Sequence, residues 1–199
     1  MKPAARAGFS IAELLVSAAV LSILLSLAYQ VLIEGLRYYR ESDARLDCQR
    51  DAIKVLLYFN QEMRESSYRS ILVTPDTGGQ YSGCVFGSAR NAQGVLTFNN
   101  AGNPLWGKWI CYVRDSNKLT RYEKQVPAQI LPSMPTQNVA AFAASPPAAK
   151  RQLSQLVKRF SINRTMNPNG VRAVQIELEM SALGGAVSTL IKNSAFPNS

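Results

Sequence analysis

The residues best placed to do chemistry stand at the front of the chain, where a carboxylate adjoins an apolar run. Glu13 is followed by residues 14–33, which contain no Lys, Arg, Asp, Glu or Pro. Twenty helical residues span roughly 30 Å, the thickness of the hydrocarbon core of a bilayer. A charge at the centre of that core costs about 3 kcal/mol or more, and less near its edge. Glu13 is therefore either a boundary residue or one that serves a specific purpose.

The residues before Phe9 form a short basic leader that ends at Gly8, and its charge comes from Lys2 and Arg6. A secretory signal peptide is cut after its apolar run, whereas the obvious processing site here precedes the run. An excess of Lys and Arg marks the cytoplasmic side of a membrane helix. We therefore expect the leader to lie in the cytoplasm.

Gly8, Phe9 and Glu13, followed directly by residues 14–33, resemble the N-terminus of type IV prepilins. The resemblance implies that a prepilin peptidase cuts between Gly8 and Phe9 and methylates the new amine of Phe9. It also implies that the Glu13 carboxylate pairs with the N-terminal amine of the adjacent subunit in a filament. Opposite charges attract strongly at low dielectric, and either charge alone is costly there. The alternative is a single-pass anchor whose Glu13 lies among the lipid headgroups.

The composition argues against an enzyme. The chain has no histidine, which excludes Ser-His-Asp and Cys-His triads and metal sites that rely on imidazole. It also contains no P-loop, no GxGxxG and no CxxC motif. We expect a protein without catalytic activity, bound metal or cofactor.

The sequence predicts one long helix and a β head behind the leader. Residues 1–8 are the leader, 9–36 a transmembrane or filament-core helix, and 37–199 a periplasmic head that begins with an amphipathic helix over 37–70. Apolar residues at helical spacings predict the core-facing side of that second half. They are Leu46, Ile53, Leu56, Leu57 and Met63.

The rest of the head reads as two groups of strands, residues 81–126 and 153–193, with a connection over 127–150 that is rich in Pro and Ala. Turn signals stand within each group, at Ser116-Asn117 and at Asn169-Gly170. One strand has a single buried face, because its apolar residues alternate with polar ones. They are Val174, Ile176, Leu178 and Met180. The predicted fold class is α+β, with a pilin-like helix packed on an antiparallel β head.

Pieces of the head resemble the PilW-type minor pilins and the J-type minor pseudopilins of type II secretion. They include a strand with a cysteine, a Trp/Tyr strand followed by Leu119-x-Arg121, a V-x-x-F strand and the closing Ile191-Lys192-Asn193. The resemblance implies a minor pilin that primes pilus assembly and caps the tip. Its partners would be the prepilin peptidase, the inner membrane, and other minor and major pilins met through the N-terminal helix. A minor pseudopilin of a type II secretion system is the alternative, since both use the same anchor and helix.

A third hypothesis comes from charge. The chain carries a net charge of +9, and from Tyr81 onward thirteen basic residues face four acidic ones. Several of these cations stand near Trp106, Trp109, Tyr112 and Tyr122, and such interleaving can hold phosphates and stack bases. The cations are Lys108, Arg114, Lys118, Arg121 and Lys124. The hypothesis is a DNA-binding minor pilin, and its alternative is a solvated basic face with aromatics in the core.

The three cysteines bear on stability. A periplasmic head lies in an oxidising compartment, where paired thiols tend to be bridged. Cys84 and Cys111 both fall in the first strand group, whereas Cys48 falls on the helix. The sequence therefore predicts a Cys84–Cys111 disulfide and a free Cys48.

Overall fold

The computed structural model describes residues 10–76, 81–91, 93–130, 134–145, 147, 149–166 and 172–197. The processing site at Gly8 and Phe9 and the turn at Asn169-Gly170 lie outside these residues. The elements are α1 (Ile11–Arg64), β1 (Leu72–Thr74), β2 (Tyr81–Ser88), β3 (Trp106–Asp115), β4 (Lys118–Gln129), α2 (Val139–Ala144), β5 (Ala149–Ser154), β6 (Val157–Met166), β7 (Arg172–Ala182) and β8 (Val187–Ala195). The predicted α+β class, with a long helix and two groups of antiparallel strands, is confirmed.

The described residues divide into two compact units, the first ending at Asp43 and the second beginning at Ala44. The first unit is the front of α1, where every described residue up to Arg40 is exposed. The most apolar 18-residue window of α1 has a mean hydropathy of 2.3. By length and composition this helix can cross a membrane, which agrees with the expectation for the front of the chain.

The second unit contains two antiparallel sheets. One has five strands in the order β1-β2-β3-β4-β5, and the other has three in the order β6-β7-β8. β3 and β4 form a hairpin whose last pair is Asp115 and Lys118, so the predicted two-residue turn at Ser116-Asn117 is confirmed. Ser116 has φ of 56°, as a tight hairpin turn requires.

The segment predicted as a Pro/Ala-rich connection contains regular structure. α2 lies within it, capped by the Asn138 side chain, which accepts a hydrogen bond of 2.9 Å from the Ala141 N–H. β5 begins at Ala149 and pairs with β4. β5 is therefore the fifth strand of the first sheet. The sequence had placed its first two residues in the connection that ends at residue 150, and its last two in the second strand group that begins at residue 153.

The main core lies between α1 and the two sheets. The buried residues of α1 are Cys48, Ala52, Val55, Leu56, Phe59 and Met63. They meet Phe86 and Tyr112 from the first sheet and Phe160 from the second, with the ring of Phe59 edge-on to all three. On β7 the predicted one-sided pattern is confirmed, since its four apolar residues are fully buried.

The buried side of α1 differs from the predicted one. Leu56 and Met63 are in the core as expected, but Leu46, Ile53 and Leu57 are exposed. At about 100° per residue, the middle of this exposed row lies about 130° around the helix from the middle of the buried row. The prediction was wrong for these three residues because the side that packs on the sheets includes the small residues Cys48 and Ala52. A search for large apolar residues passes over them, although small side chains permit close packing against the sheets.

Candidate functional site

The front of α1 is held by hydrogen bonds between Ser10 and Glu13. The Ser10 N–H donates to Glu13 Oε2 at 3.0 Å, and Ser10 Oγ accepts from the Ala12 N–H at 3.3 Å. The first turn of an α-helix has N–H groups without partners inside the helix. This reciprocal arrangement satisfies two of them and is a capping box, which has the sequence pattern Ser-x-x-Glu.

Sequence analysis missed this role of Glu13, although Ser10-Ile-Ala-Glu13 carries the signal. The carboxylate thus accepts a hydrogen bond from the backbone at the front of its own helix. No cation among the described residues forms an ion pair with it.

Two of the three serines in the apolar run form hydrogen bonds from their hydroxyl groups to carbonyls of the helix. Ser17 Oγ donates to the Glu13 carbonyl at 2.8 Å, and Ser22 Oγ donates to the Ala19 carbonyl at 2.8 Å. Such hydrogen bonds lower the free-energy cost of placing a hydroxyl group in an apolar medium. Among residues 10–33, which the structure describes, Glu13 is the one charged side chain.

The five cations considered for DNA binding do not form one exposed face. The register pairs Tyr112 with Arg121 and Trp109 with Lys124, and side chains alternate along a strand. Arg121 therefore points toward α1, whereas Lys124 points to the other side, where Nζ donates to Gln137 Oε1 at 2.7 Å. Lys118 is exposed at the β3–β4 turn.

The other cations are neutralised inside the head. Lys108 is buried, with Nζ 2.8 Å from Glu123 Oε1. Arg114 lies 3.3 Å from Asp76 and donates to the Lys158 carbonyl at 2.9 Å. Partners inside the fold leave these groups little capacity to hold phosphate.

The aromatic side chains near these cations belong to the cores. Tyr112 is fully buried, Trp106 is nearly so, and Trp109 and Tyr122 pack against a second apolar cluster. Base stacking needs an aromatic face that solvent can reach. The arrangement favours the alternative in which the aromatics are structural.

Arg121 is the centre of a polar network between α1 and the first sheet. It lies 2.6 Å from Glu62 on α1 and 3.0 Å from Glu123 on its own strand. Tyr112 donates its hydroxyl to Glu62 Oε2 at 2.6 Å. The network fixes the helix to the middle of the sheet through charge-assisted hydrogen bonds.

The pKa directions agree with this network. Burial raises the pKa of the Tyr112 hydroxyl, and the Glu62 carboxylate raises it further. Burial alone would raise the pKa of Glu123, but the hydrogen bond from Lys108 and the charges of Lys108 and Arg121 lower it below its usual value. At neutral pH Glu123 is therefore charged and Tyr112 is neutral, as their contacts in the network require.

The predicted Cys84–Cys111 disulfide is absent, and the strand register explains why. Cys84 pairs with Tyr112 and Val85 pairs with Cys111, so the two thiols lie on opposite faces of the sheet. Cys84 belongs to the core under α1, and Cys111 belongs to the cluster under α2. All three cysteines are buried free thiols, so Cys48 is free as expected, but the predicted bond is wrong.

The thiols should be unreactive in the folded protein. Burial raises the pKa of Cys84 and of Cys111, and burial together with Asp47 and Asp51 raises that of Cys48. The thiolate is the reactive form. Maleimide should therefore label none of the three in the native chain and all three after denaturation without a reductant, as measured by intact mass. A Cys84–Cys111 bond found by peptide mapping would require β2 and β3 to pair in another register.

No group of His, Cys, Asp and Glu in the described part of the chain has the arrangement of a metal site. Against known families, residues 3–29 match the model of the prokaryotic N-terminal methylation motif. No curated protein and no solved structure matches the chain. The chain thus has a prepilin-like motif at its front, followed by a long helix whose first half is apolar. This agrees with the resemblance that Gly8, Phe9 and Glu13 indicated.

Proposed function

We propose that this protein is a minor pilin, which is processed by a prepilin peptidase and then primes assembly of a type IV pilus and caps its tip. It acts as a structural subunit and not as an enzyme. Before assembly it is anchored in the inner membrane by α1, with the head in the periplasm. Its partners are other pilins, met through the front of α1.

The observation that carries the proposal is the methylation motif at residues 3–29, which overlaps the front of a 54-residue helix beginning at Ile11. The apolar side chains at the front of that helix are exposed in the single chain. Such a surface needs lipid or neighbouring helices to cover it. In a subunit that moves from a membrane into a filament, lipid covers this surface first and neighbouring helices cover it afterwards.

Processing is the first test. The mature protein should begin at Phe9, lack residues 1–8 and carry one methyl group on its amine, because Gly8 and Phe9 stand at the required distance from Glu13. Intact mass of membrane-extracted protein measures this directly. The same protein from cells without the prepilin peptidase should keep the leader. Retention of the leader in cells with an active peptidase would contradict the proposal.

The role in pili is tested by deleting the gene. Surface pili should fall at least tenfold, as counted by electron microscopy, and expression of the intact chain should restore them. Secreted enzymes measured in the same cultures provide the comparison with the pseudopilin alternative. Normal pili combined with lost secretion would assign the protein to a type II secretion system and reject the proposed role.

A further inference from the structure

The core face of the second sheet ends in two arginines. Along β6 the buried residues Phe160 and Ile162 are followed on the same face by Arg164, because side chains alternate along a strand. Along β7 the buried row begins at Val174, and Arg172 lies two positions before it on that face. Arg164 pairs with Val174 in the register, so the two arginines are diagonal neighbours. Two cations, which we call the arginine pair, thus occupy one end of this apolar face.

Tyr68 holds the two guanidinium groups close to one another. The centre of its ring lies 4.3 Å from the guanidinium carbon of Arg164 and 5.6 Å from that of Arg172. The ring packs against the main core, and its hydroxyl donates to the Thr165 carbonyl at 3.4 Å. Arg164 Nη1 also donates to the Ile71 carbonyl at 3.0 Å. The ring and this carbonyl position Arg164 before any ligand arrives, which lowers the entropy cost of binding.

No acidic side chain of this chain neutralises the arginine pair. All 13 Asp and Glu residues lie in the described part of the chain, and none of them forms an ion pair with Arg164 or Arg172. Near the end of α1, Glu62 belongs to the network of the first sheet and Glu65 pairs with Arg90. Since arginine stays protonated, the pair brings together two positive charges with no acid in contact.

The acids of the neighbouring strands have cations of their own. On β7, Glu177 and Glu179 alternate with the buried row, so they lie on the face of the sheet opposite the arginine pair. They form ion pairs of 2.7 Å with Lys192 and Lys158. Asp76, beyond the end of β1, pairs with a cation of β3. The anion that complements the arginine pair must therefore come from outside the fold.

We propose that the arginine pair binds a phosphate monoester group. Such a group carries a charge of about −1.5 to −2 at neutral pH and three acceptor oxygens, so it can accept N–H groups from both guanidiniums. A carboxylate has a single charge, and in a bidentate pair its two oxygens are taken by one guanidinium. Arg164 is exposed and Arg172 half-buried, so a ligand can reach both. The site lies wholly in the head, and the inference goes beyond the proposed function.

The test is equilibrium dialysis of the full chain, in a neutral detergent, against radiolabelled inorganic phosphate at about pH 8, where the dianion prevails. Sodium chloride at constant ionic strength screens the general attraction to a net charge of +9. We expect one phosphate to bind per chain, and acetate to compete at least tenfold more weakly than unlabelled phosphate. Phosphoserine should compete at least as well as unlabelled phosphate, which distinguishes a monoester site from one for the free ion alone.

Two double variants with the same change of charge separate the site from general attraction to a basic head. Arg164→Gln combined with Arg172→Gln should weaken phosphate binding at least tenfold. Lys158→Gln combined with Arg159→Gln is the matched control, because these two cations are exposed at the opposite end of β6. The control should leave phosphate binding unchanged.

Arg172→Gln alone keeps the contacts of Arg164 with Tyr68 and Ile71, so it serves if the double variant fails to fold. It should lower phosphate affinity at least fivefold and reduce the preference for phosphate over acetate, because one guanidinium then remains. Equal competition by acetate and phosphate, weaker competition by phosphoserine than by phosphate, or equal loss of binding in both double variants would overturn the proposal. So would phosphate binding that Arg172→Gln leaves unchanged.

Discussion

Glu13→Ala should be processed like the wild type yet be at least tenfold depleted from filaments. The substitution leaves Gly8, Phe9 and the head untouched, but it removes the carboxylate that would meet the amine of a neighbouring subunit. In a low dielectric that amine would lose its opposite charge, which is costly. The measurement is an immunoblot of mature protein in sheared pili against the membrane fraction.

The hydrogen bonds of Ser10 require two companion variants. Glu13→Gln keeps an acceptor for the Ser10 N–H, since Gln also serves in a capping box, but it removes the charge. Ser10→Ala removes the cap side chain at a cost of about 1 kcal/mol and keeps the charge. If charge pairing drives assembly, Glu13→Gln should fail and Ser10→Ala should enter filaments. The opposite pattern would make Glu13 a cap residue only.

Arg121→Met should destabilise the head by about 3 kcal/mol, because it leaves the Glu62 carboxylate without its cation in a largely buried site. Arg121 and Glu62 each keep 17% side-chain exposure, so solvent screens the loss only in part. The melting temperature of the detergent-solubilised chain should fall by roughly 6–12 °C. Circular dichroism in the region of β structure follows the transition.

The matched control is Lys158→Met. Lys158 forms a pair of 2.7 Å with Glu179, but its side chain is 61% exposed, so its loss should cost less than about 1 kcal/mol. Combining Arg121→Met with Glu62→Leu should restore part of the stability, because no unpaired charge then remains on α1. An Arg121→Met melting temperature equal to that of Lys158→Met would mean that the network is not a stabilising feature.

Sequence patterns predicted those parts of the fold that depend on local order. The front of α1 is a continuous apolar run, the β7 alternation has period two, and the Ser116-Asn117 turn joins strands that are adjacent in the chain. In each case the decisive interactions are between residues a few positions apart. These elements could therefore be read without knowing what packs on them.

Features that depend on distant partners were not predictable in this way. The register of Cys84 against Tyr112 is set across a connection over residues 89–105, and a shift of one residue moves a thiol to the other face. Arg121 forms an ion pair with Glu62, which lies 59 positions earlier in the chain. A count of charges near aromatic residues could not reveal that pairing. The cap at Ser10 is a different case, since its signal is local and was overlooked.

Three of the four edges of the two sheets limit how heads can meet in a crowded assembly. β1, at one edge of the first sheet, has only three residues, and β5, at the other, carries exposed Lys150 and Arg151. β8, at an edge of the second sheet, exposes Lys192. Short strands and edge lysines discourage another chain from adding a strand, the route by which β proteins aggregate. Neighbouring heads should therefore meet through side chains, which keeps their contacts reversible and selective, whereas backbone pairing would join heads regardless of sequence.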